Sequence, residues 1–200
     1  MDHRLPVLMG RRLLLREPTQ ADGELLFVYT SDPTVTRFLS FDGPRSMTET
    51  LEFIGRCEEF RRQDREYVFV IADRATDQPR GVIGLRHLDR DTRTAEVGTW
   101  VRRQDWGKGV NLEAKALLLD FAFGNLTLHR IEARIAADNK RSRRAFERLG
   151  AKHEGTLREA FYKDGGFRDQ AMYAILATDW QSRGGGAAIL NALPPGEFDG

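Results

Sequence analysis

A mixed, largely antiparallel central sheet of about seven strands with helices on both faces is the fold class that this 200-residue sequence predicts. Three observations predict it. Three β-prone runs, Tyr67–Ile71, Gly81–Leu88 and Ala95–Val101, follow one another across short turns, as consecutive hairpins do. The glycine-punctuated turn Gln104-Asp105-Trp106-Gly107-Lys108-Gly109 then leads directly into an apolar run of helical spacing. A further strand, Arg130–Ile135, follows that helix and requires a crossover connection. Finally, Lys152–Ala160 and Asp169–Ala177 flank Asp164-Gly165-Gly166, a hairpin pattern.

Taken in order, residues 1–10 read as a lead-in, 11–180 as one folded domain, and 181–200 as a linker and flexible tail, on Gly184-Gly185-Gly186 and Pro194-Pro195. Arg11–Glu17 is a strand ended by Pro18, which cannot continue a central ladder. Thr19-Gln20-Ala21-Asp22 opens a helix carrying Leu25, Leu26 and Val28. Asp32-Pro33 interrupts it, Val35–Leu39 adds a turn, and Asp42-Gly43-Pro44 forces a loop. Ser46-Met47-Thr48-Glu49 opens a second helix by the same capping logic, with Leu51, Ile54 and Phe60 inward. Asn111–Phe123 is the helix after the glycine turn, with Leu112, Ala114, Leu118, Phe121 and Ala122 recurring at helical spacing. A short helix over Arg141–Arg148 is stopped by Gly150.

Composition sets limits. A hydrophobic content of 40% and a charged content of 30% are ordinary for a globular domain. A net charge of +1 supplies no global field, so a nucleic-acid or membrane role would need a local patch. The single cysteine, Cys57, cannot form an internal disulfide, which fits a reducing cytoplasm. No stretch approaches membrane-spanning length, so a cytoplasmic address without membrane association is expected.

The turn before Asn111 carries the chemistry. Amides of a first helical turn have no partner inside the helix. The helix dipole adds partial positive charge, which makes phosphate the natural guest. Gly107 and Gly109 let the backbone approach a ligand closely. Two familiar phosphate loops are excluded: Lys108 precedes Gly109 rather than a hydroxyl residue, and a dinucleotide fingerprint would need glycine at Leu112.

Gln104, Gly107 and Gly109 do match Gln/Arg-x-x-Gly-x-Gly/Ala, the coenzyme A loop of the GCN5-related N-acetyltransferase (GNAT) superfamily. Ile131-Glu132-Ala133, Asp138–Ser142, Leu149-Gly150-Ala151, Glu154–Arg158 and Arg168-Asp169 follow at that family's spacing. Over roughly residues 10 to 180 the sequence resembles the RimJ/RimL-like branch, which includes ribosomal-protein N-terminal acetyltransferases. The resemblance implies the acyl-CoA N-acyltransferase (GNAT) fold. It also implies transfer of an acetyl group from acetyl-CoA to an amine, on a protein N-terminus or a small molecule, by direct attack in a ternary complex without a metal. Members of the branch often pair, which implies a homodimer. Transfer of another acyl group such as succinyl, a non-catalytic coenzyme A-binding or regulatory module, and a ribosome-associated module are the alternatives.

The resemblance also implies a site. The diphosphate falls to the amides of Gln104, Asp105, Trp106, Gly107, Lys108, Gly109, Val110 and Asn111, with the Lys108 charge added. Thr99, Trp100 and Val101 offer strand amides to the pantetheine arm and the thioester carbonyl. Asn139 either bonds the arm or caps a helix, and Ser142 either donates to the leaving sulfur or caps. Glu96 is a general base acting through water, or a salt-bridged strand residue. Two departures stand out. Related enzymes can use an acidic residue seven positions after the Glu at 154, where Phe161 stands, and many carry a tyrosine seven after the Asn at 139, where Phe146 stands.

The amine must attack in its neutral form. Deprotonating a lysine at neutral pH costs about 4 to 5 kcal/mol, whereas an α-amine costs only about 1 kcal/mol. A weakly basic acceptor therefore suits a site without an evident strong base. The loops Asp32–Gly43 and Phe161–Arg168 are expected to shape the acceptor pocket, with Phe38, Phe41, Tyr162 and Phe167 lining it. His87, His129 and His153 have no metal-ligand spacing. Lys140–Arg144 reads as a solvated helix face with one side chain reaching the coenzyme's ribose phosphate, which disfavours nucleic acid as a partner.

Overall fold

The structure, a computed structural model, describes residues 4–193. Two short strands, β1 (Leu8–Met9) and β2 (Leu13–Arg16), lead through a 3-10 turn into α1 (Gly23–Thr30), α2 (Pro33–Thr36) and α3 (Met47–Arg62). The meander β3 (Tyr67–Asp73), β4 (Pro79–Asp89) and β5 (Thr94–Val101) precedes α4 (Val110–Asp120). Then come β6 (Arg130–Ala136), α5 (Lys140–Arg148), the hairpin β7 (Lys152–Lys163) and β8 (Gly166–Leu176), and finally α6 (Ala177–Ser182) and α7 (Gly185–Ala192). The strands form one eight-stranded sheet in the order β1-β2-β3-β4-β5-β6-β8-β7.

Period-two alternation divides the core between the two faces of this sheet. Phe69, Ile71, Ile83 and Leu85 enter the larger cluster, shared with α4, α5 and the C-terminal helices. Val68, Val70, Ala72 and Val82 enter the smaller one, closed by Leu26 of α1 and by Ile54 and Cys57 of α3. A strand feeding two cores must be apolar throughout, which is why Tyr67–Ile71 reads as a continuous β-prone run.

Every adjacent pair is antiparallel except β5 and β6. That parallel pairing covers only Thr94–Glu96 against Arg130–Glu132. β5 remains paired with β4 as far as Val101, and β6 with β8 as far as Ala136. Beyond Glu96 and Glu132 the two strands therefore part, and each presents an edge without a ladder partner. α4 supplies the crossover that a parallel pair demands.

Two boundaries differ from the sequence reading. The lead-in contributes β1 over Leu8–Met9, and residues 1–3 lie outside the described region. The segment read as a linker and tail holds the end of α6 and all of α7, which runs to Ala192, while Pro194-Pro195 lies outside the described residues. Its glycines serve close approach. A Cβ on Gly186 would collide with the Asp120 carboxylate, whose Oδ1 accepts from the Gly186 N–H at 2.9 Å and from Trp180 Nε1 at 2.8 Å. Arg11 adds a tie, donating to the carbonyls of Leu190 and Leu193.

The hairpin loop closes with Asp164 and Gly165 at φ of 51° and 79°, the paired positive values of a two-residue turn that matches strand twist. Phe161, Tyr162, Phe167 and Arg168 thus belong to strands rather than to the loop expected there.

Asp120 is the hinge-pin of the C-terminal packing. Asp120→Ala leaves two donors unpaired and should cost about 2 kcal/mol in denaturant unfolding. Trp180 fluorescence should report the loosening before global unfolding begins.

Candidate active site

The turn between β5 and α4 is held from below by ions. Asp105 is buried and accepts from Arg80 Nη1 at 2.7 Å and from Arg102 Nε at 2.5 Å. Arg80 spans onward to Asp73 at 2.6 Å, which fastens the turn to the far end of β3. Gly107 and Gly109 adopt φ of 82° and 83°, values that favour glycine. Among the described residues the N–H groups of Gly107, Gly109, Val110 and Asn111 make no hydrogen bond, whereas those of Asp105, Trp106 and Lys108 close the turn itself. The first turn of α4 thus offers an anion a set of free amides.

α4 is fixed in depth by a second buried ion pair. The Glu113 carboxylate, fully buried, accepts from the N–H groups of Arg12 and Leu13 at 2.8 and 3.2 Å and from Arg12 Nε at 3.0 Å. The same guanidinium donates to the Lys108 carbonyl at 3.1 Å, so β2, the turn and α4 share one clamp.

From this turn a single cleft of about 1020 Å³ runs through the parting of β5 and β6 to a chamber under the 37–44 segment. Its first end is walled by Trp106, Gly107, Gly109, Asn111, Lys115, Asn139, Arg141, Ser142 and Phe146. Gly84 and Gly98, paired across β4 and β5, line its middle, and a Cβ on Gly98 would meet nothing within 4 Å. Phe38, Phe41, Phe53 and Phe161 make the far chamber aromatic. Lys163, nearly buried, ties that chamber's two rims, donating to the Phe41 carbonyl at 2.8 Å and to Asp42 at 2.5 Å.

Most of the expected site residues converge on this cleft, and some do not. Thr99, Trp100, Val101, Asp105, Trp106, Gly107, Gly109, Val110, Asn111, Asn139 and Ser142 all line it, as do Phe38 and Phe41. Gln104 is exposed, with its amide against the Arg102 guanidinium at 2.9–3.0 Å, and Lys108 is also exposed; neither side chain lines the cleft. Tyr162 and Phe167 stand outside, 61% and 66% exposed and packed edge to face on each other, because strand pairing carries them onto the hairpin's outer surface. Asn139 Oδ1 accepts from the Ser142 N–H at 3.1 Å, so its carbonyl caps α5 and its Nδ2 is left to donate. Ser142 is therefore capped rather than capping, and it lines the cleft.

Glu96 is the residue whose placement differs most in meaning. It sits at the last β5–β6 pair, is buried, and accepts from Arg86 Nη2 at 2.5 Å with Arg134 Nε at 3.4 Å. Its two arginine partners line the cleft and Glu96 itself does not. The basic run on α5 is similarly divided: Arg143 turns back to Tyr173, while Arg141 lies 3.6 Å over the Trp106 ring, and burial lowers its guanidinium pKa.

Sequence reading missed Lys115. It is 3% exposed in α4, one turn beyond Asn111, with Nζ 4.4 Å above the Phe146 ring. Burial alone lowers its pKa to about 7. The available signal was a single lysine inside an otherwise apolar stretch, Leu112–Leu119, broken elsewhere only by the clamped Glu113.

The cleft fits coenzyme A in its own terms. Free amides suit a diphosphate, Gly98 leaves its floor open, and Thr99 Oγ1 and Asn111 Oδ1 are buried in its wall without partners. Among the described residues no group of side chains could hold a metal ion. No helix among them is long and apolar enough to cross a membrane.

Known proteins agree. Residues 12–152 match the family model described as an acetyltransferase (GNAT) domain. The uncharacterised N-acetyltransferase YoaA of Bacillus subtilis is 30% identical over 86% of this chain and 97% of its own. The Escherichia coli ribosomal protein uS5-alanine N-acetyltransferase is 29% identical over 64% of this chain and 66% of its own. Mycobacterium smegmatis RimJ, solved in complex with CoA-disulfide, superposes with a TM-score of 0.83 at 25% identity, covering 94% of this chain and 91% of that one. The chain belongs to the GNAT acetyltransferase family, whose members take an acetyl group from acetyl-CoA and place it on an amine.

The buried lysine gives a stability test with a definite sign. Because its pKa falls from 10.5 unfolded to about 7 folded, its burial penalty is complete below pH 7 and fades as pH rises toward 10.5. Lys115→Met should therefore melt higher than wild type at acid and neutral pH, with the gap closing by alkaline pH. An equal gap at every pH would show that the folded amine is not perturbed.

Proposed function

We propose that this enzyme acetylates its acceptor by direct attack within one ternary complex, and that the acceptor is a weakly basic amine, above all the α-amine of a protein or peptide. One observation carries the reading. The cleft is continuous from the amides of Gly107–Asn111 to the aromatic chamber, so donor and acceptor enter from opposite ends and meet where the strands part. Bringing both reactants into one site is itself a large part of catalysis.

The one cysteine of the sequence offers no acyl-enzyme route. Cys57 lies outside the cleft wall, and burial pushes its thiol up to about 12. Direct attack then requires roles that this chain's own residues supply. The free amides at the start of α4 hold the diphosphate, with Arg141 and Arg144 beside them. Asn139 Nδ2, Thr99 Oγ1 and Asn111 Oδ1 bond the pantetheine arm. The open edge of β5 past Glu96 presents main-chain donors to the thioester carbonyl. Ser142 gives a hydrogen bond to the sulfur. When bound, the coenzyme supplies the activated acyl carbon.

Glu96 acts through its partners. With Arg86 and Arg134 on its carboxylate it orients the cleft wall at the fork, and the acceptor arrives already neutral in sufficient proportion. This is why a weakly basic amine fits. It is also the class acted on by the relative named for the alanine of ribosomal protein uS5.

Two measurements test the reading. Gly107→Asp meets no neighbour within 4 Å, strains the left-handed backbone only locally and places a carboxylate where the diphosphate sits, so calorimetry on protein shown to melt cooperatively should give a dissociation constant for acetyl-CoA raised about a hundredfold or more. Unaltered affinity would remove the loop assignment. In a panel of acceptors at neutral pH, peptides with free α-amines should exceed blocked peptides bearing only lysine ε-amines by about a hundredfold in kcat/KM, following the neutral fraction. Equal rates would point to a strong base and overturn the acceptor class.

A further inference from the structure

Resting on the acyl-transfer reading above, we propose that Lys115 is the acid that protonates the departing coenzyme A sulfur. A proton there assists the step. Thiols such as that of cysteine ionise near about 8.5, so at neutral pH the departing thiolate ends as thiol, and a positioned acid that protonates it speeds departure and blocks return. The cleft wall contains no histidine, cysteine or tyrosine. Its arginines, Arg56, Arg86, Arg134, Arg141, Arg144 and Arg148, hold their protons at any relevant pH. Asp42, Glu49 and Glu66 stand at the acceptor end, and Asp105 is consumed by Arg80 and Arg102. Lys140 is exposed at the outer rim. Lys115 remains, in the wall that also holds Asn111, Ser142 and Phe146.

Its surroundings make it a donor rather than a structural cation. Among the described residues no carboxylate pairs with it, and its one close partner is the face of Phe146. Every charged group on the elements packed nearby is otherwise engaged or cationic. Glu113 of its own helix is clamped by Arg12, Glu96 of β5 is held by Arg86 and Arg134, and α5 contributes Arg141, Arg144 and Arg148 to the wall. A methionine would pack against Phe146 equally well without the cost of burying an amine. Burial also brings the ammonium close to neutral pH, so proton transfer to a thiolate runs downhill.

The atoms balance. The acceptor nitrogen bonds to the acyl carbon, and the carbon–sulfur bond breaks with its electron pair remaining on sulfur. Sulfur takes a proton from the Lys115 ammonium, leaving free thiol and a neutral lysine. The acceptor nitrogen loses its own proton to water, and Lys115 regains one from solvent. Nothing is oxidised or reduced.

Lys115→Met and Lys115→Arg test this together, since the first removes the proton and the second keeps the charge but cannot release it. Both should melt cooperatively and bind acetyl-CoA within about threefold of wild type, while kcat falls about a hundredfold. Wild-type kcat should also decline on the alkaline side as the ammonium titrates, and that limb should vanish in Lys115→Met. Wild-type kcat in either variant would overturn the proposal, as would full activity in Lys115→Arg alone. So would an intact-mass gain showing Lys115 itself acetylated, because an amide cannot donate this proton. Failure of the wild type to bind acetyl-CoA would instead bring down the acyl-transfer reading, and this inference with it.

Discussion

The parting of two parallel strands is the constraint from which the rest follows. β5 and β6 share a ladder for three residues and then diverge, although each stays bonded to its other neighbour. An open edge inside a sheet is costly unless something satisfies its amides and carbonyls. The chain accepts that cost where the strand edges line the cleft. Glu96 fixes where the divergence begins: it occupies the last shared pair and draws Arg86 from β4 and Arg134 from β6 onto one carboxylate. The fork is thus set by charge in the sheet and by α4 and α5 packed beneath it.

Rigidity near the fork comes from ions that are buried and paired. Glu113 with Arg12, and Asp105 with Arg80 and Arg102, fix the height and tilt of the α4 N-terminus to within a hydrogen bond's tolerance. Such pairs add little net stability over a well-packed apolar alternative, but breaking one by removing a partner costs about 3 to 5 kcal/mol. Their contribution is specificity of geometry. The free amides of Gly107, Gly109, Val110 and Asn111 keep their positions because the turn that carries them is clamped on both sides.

The architecture was readable because its signals are local. Tyr67–Ile71, Gly81–Leu88 and Ala95–Val101 carry β-prone side chains between turn residues, and Gln104–Gly109 joins a strand to a helix without slack. Glycine context was harder. Gly184-Gly185-Gly186 reads as a linker until Asp120 is seen to fill the space a Cβ would occupy. The cleft divided along the same line: the backbone-defined positions Thr99–Val101, Gly107 and Gly109–Asn111 line it as expected, while side-chain directions were not legible. Tyr162 and Phe167 are aromatic and near the acceptor end in sequence, yet hairpin pairing turns them outward. Lys115 was overlooked because one polar residue in an apolar helix resembles a surface position, and only tertiary packing of α4 on Phe146 makes it interior.

The two extremes of the described chain meet behind the glycine turn. Leu193 packs near Gly109, and Arg11 grips the carbonyls of Leu190 and Leu193, so segments remote in sequence jointly brace the residues that open α4. Disturbance at either extreme is therefore transmitted to the mouth of the cleft, and the outermost segments belong to the same mechanical unit as its wall.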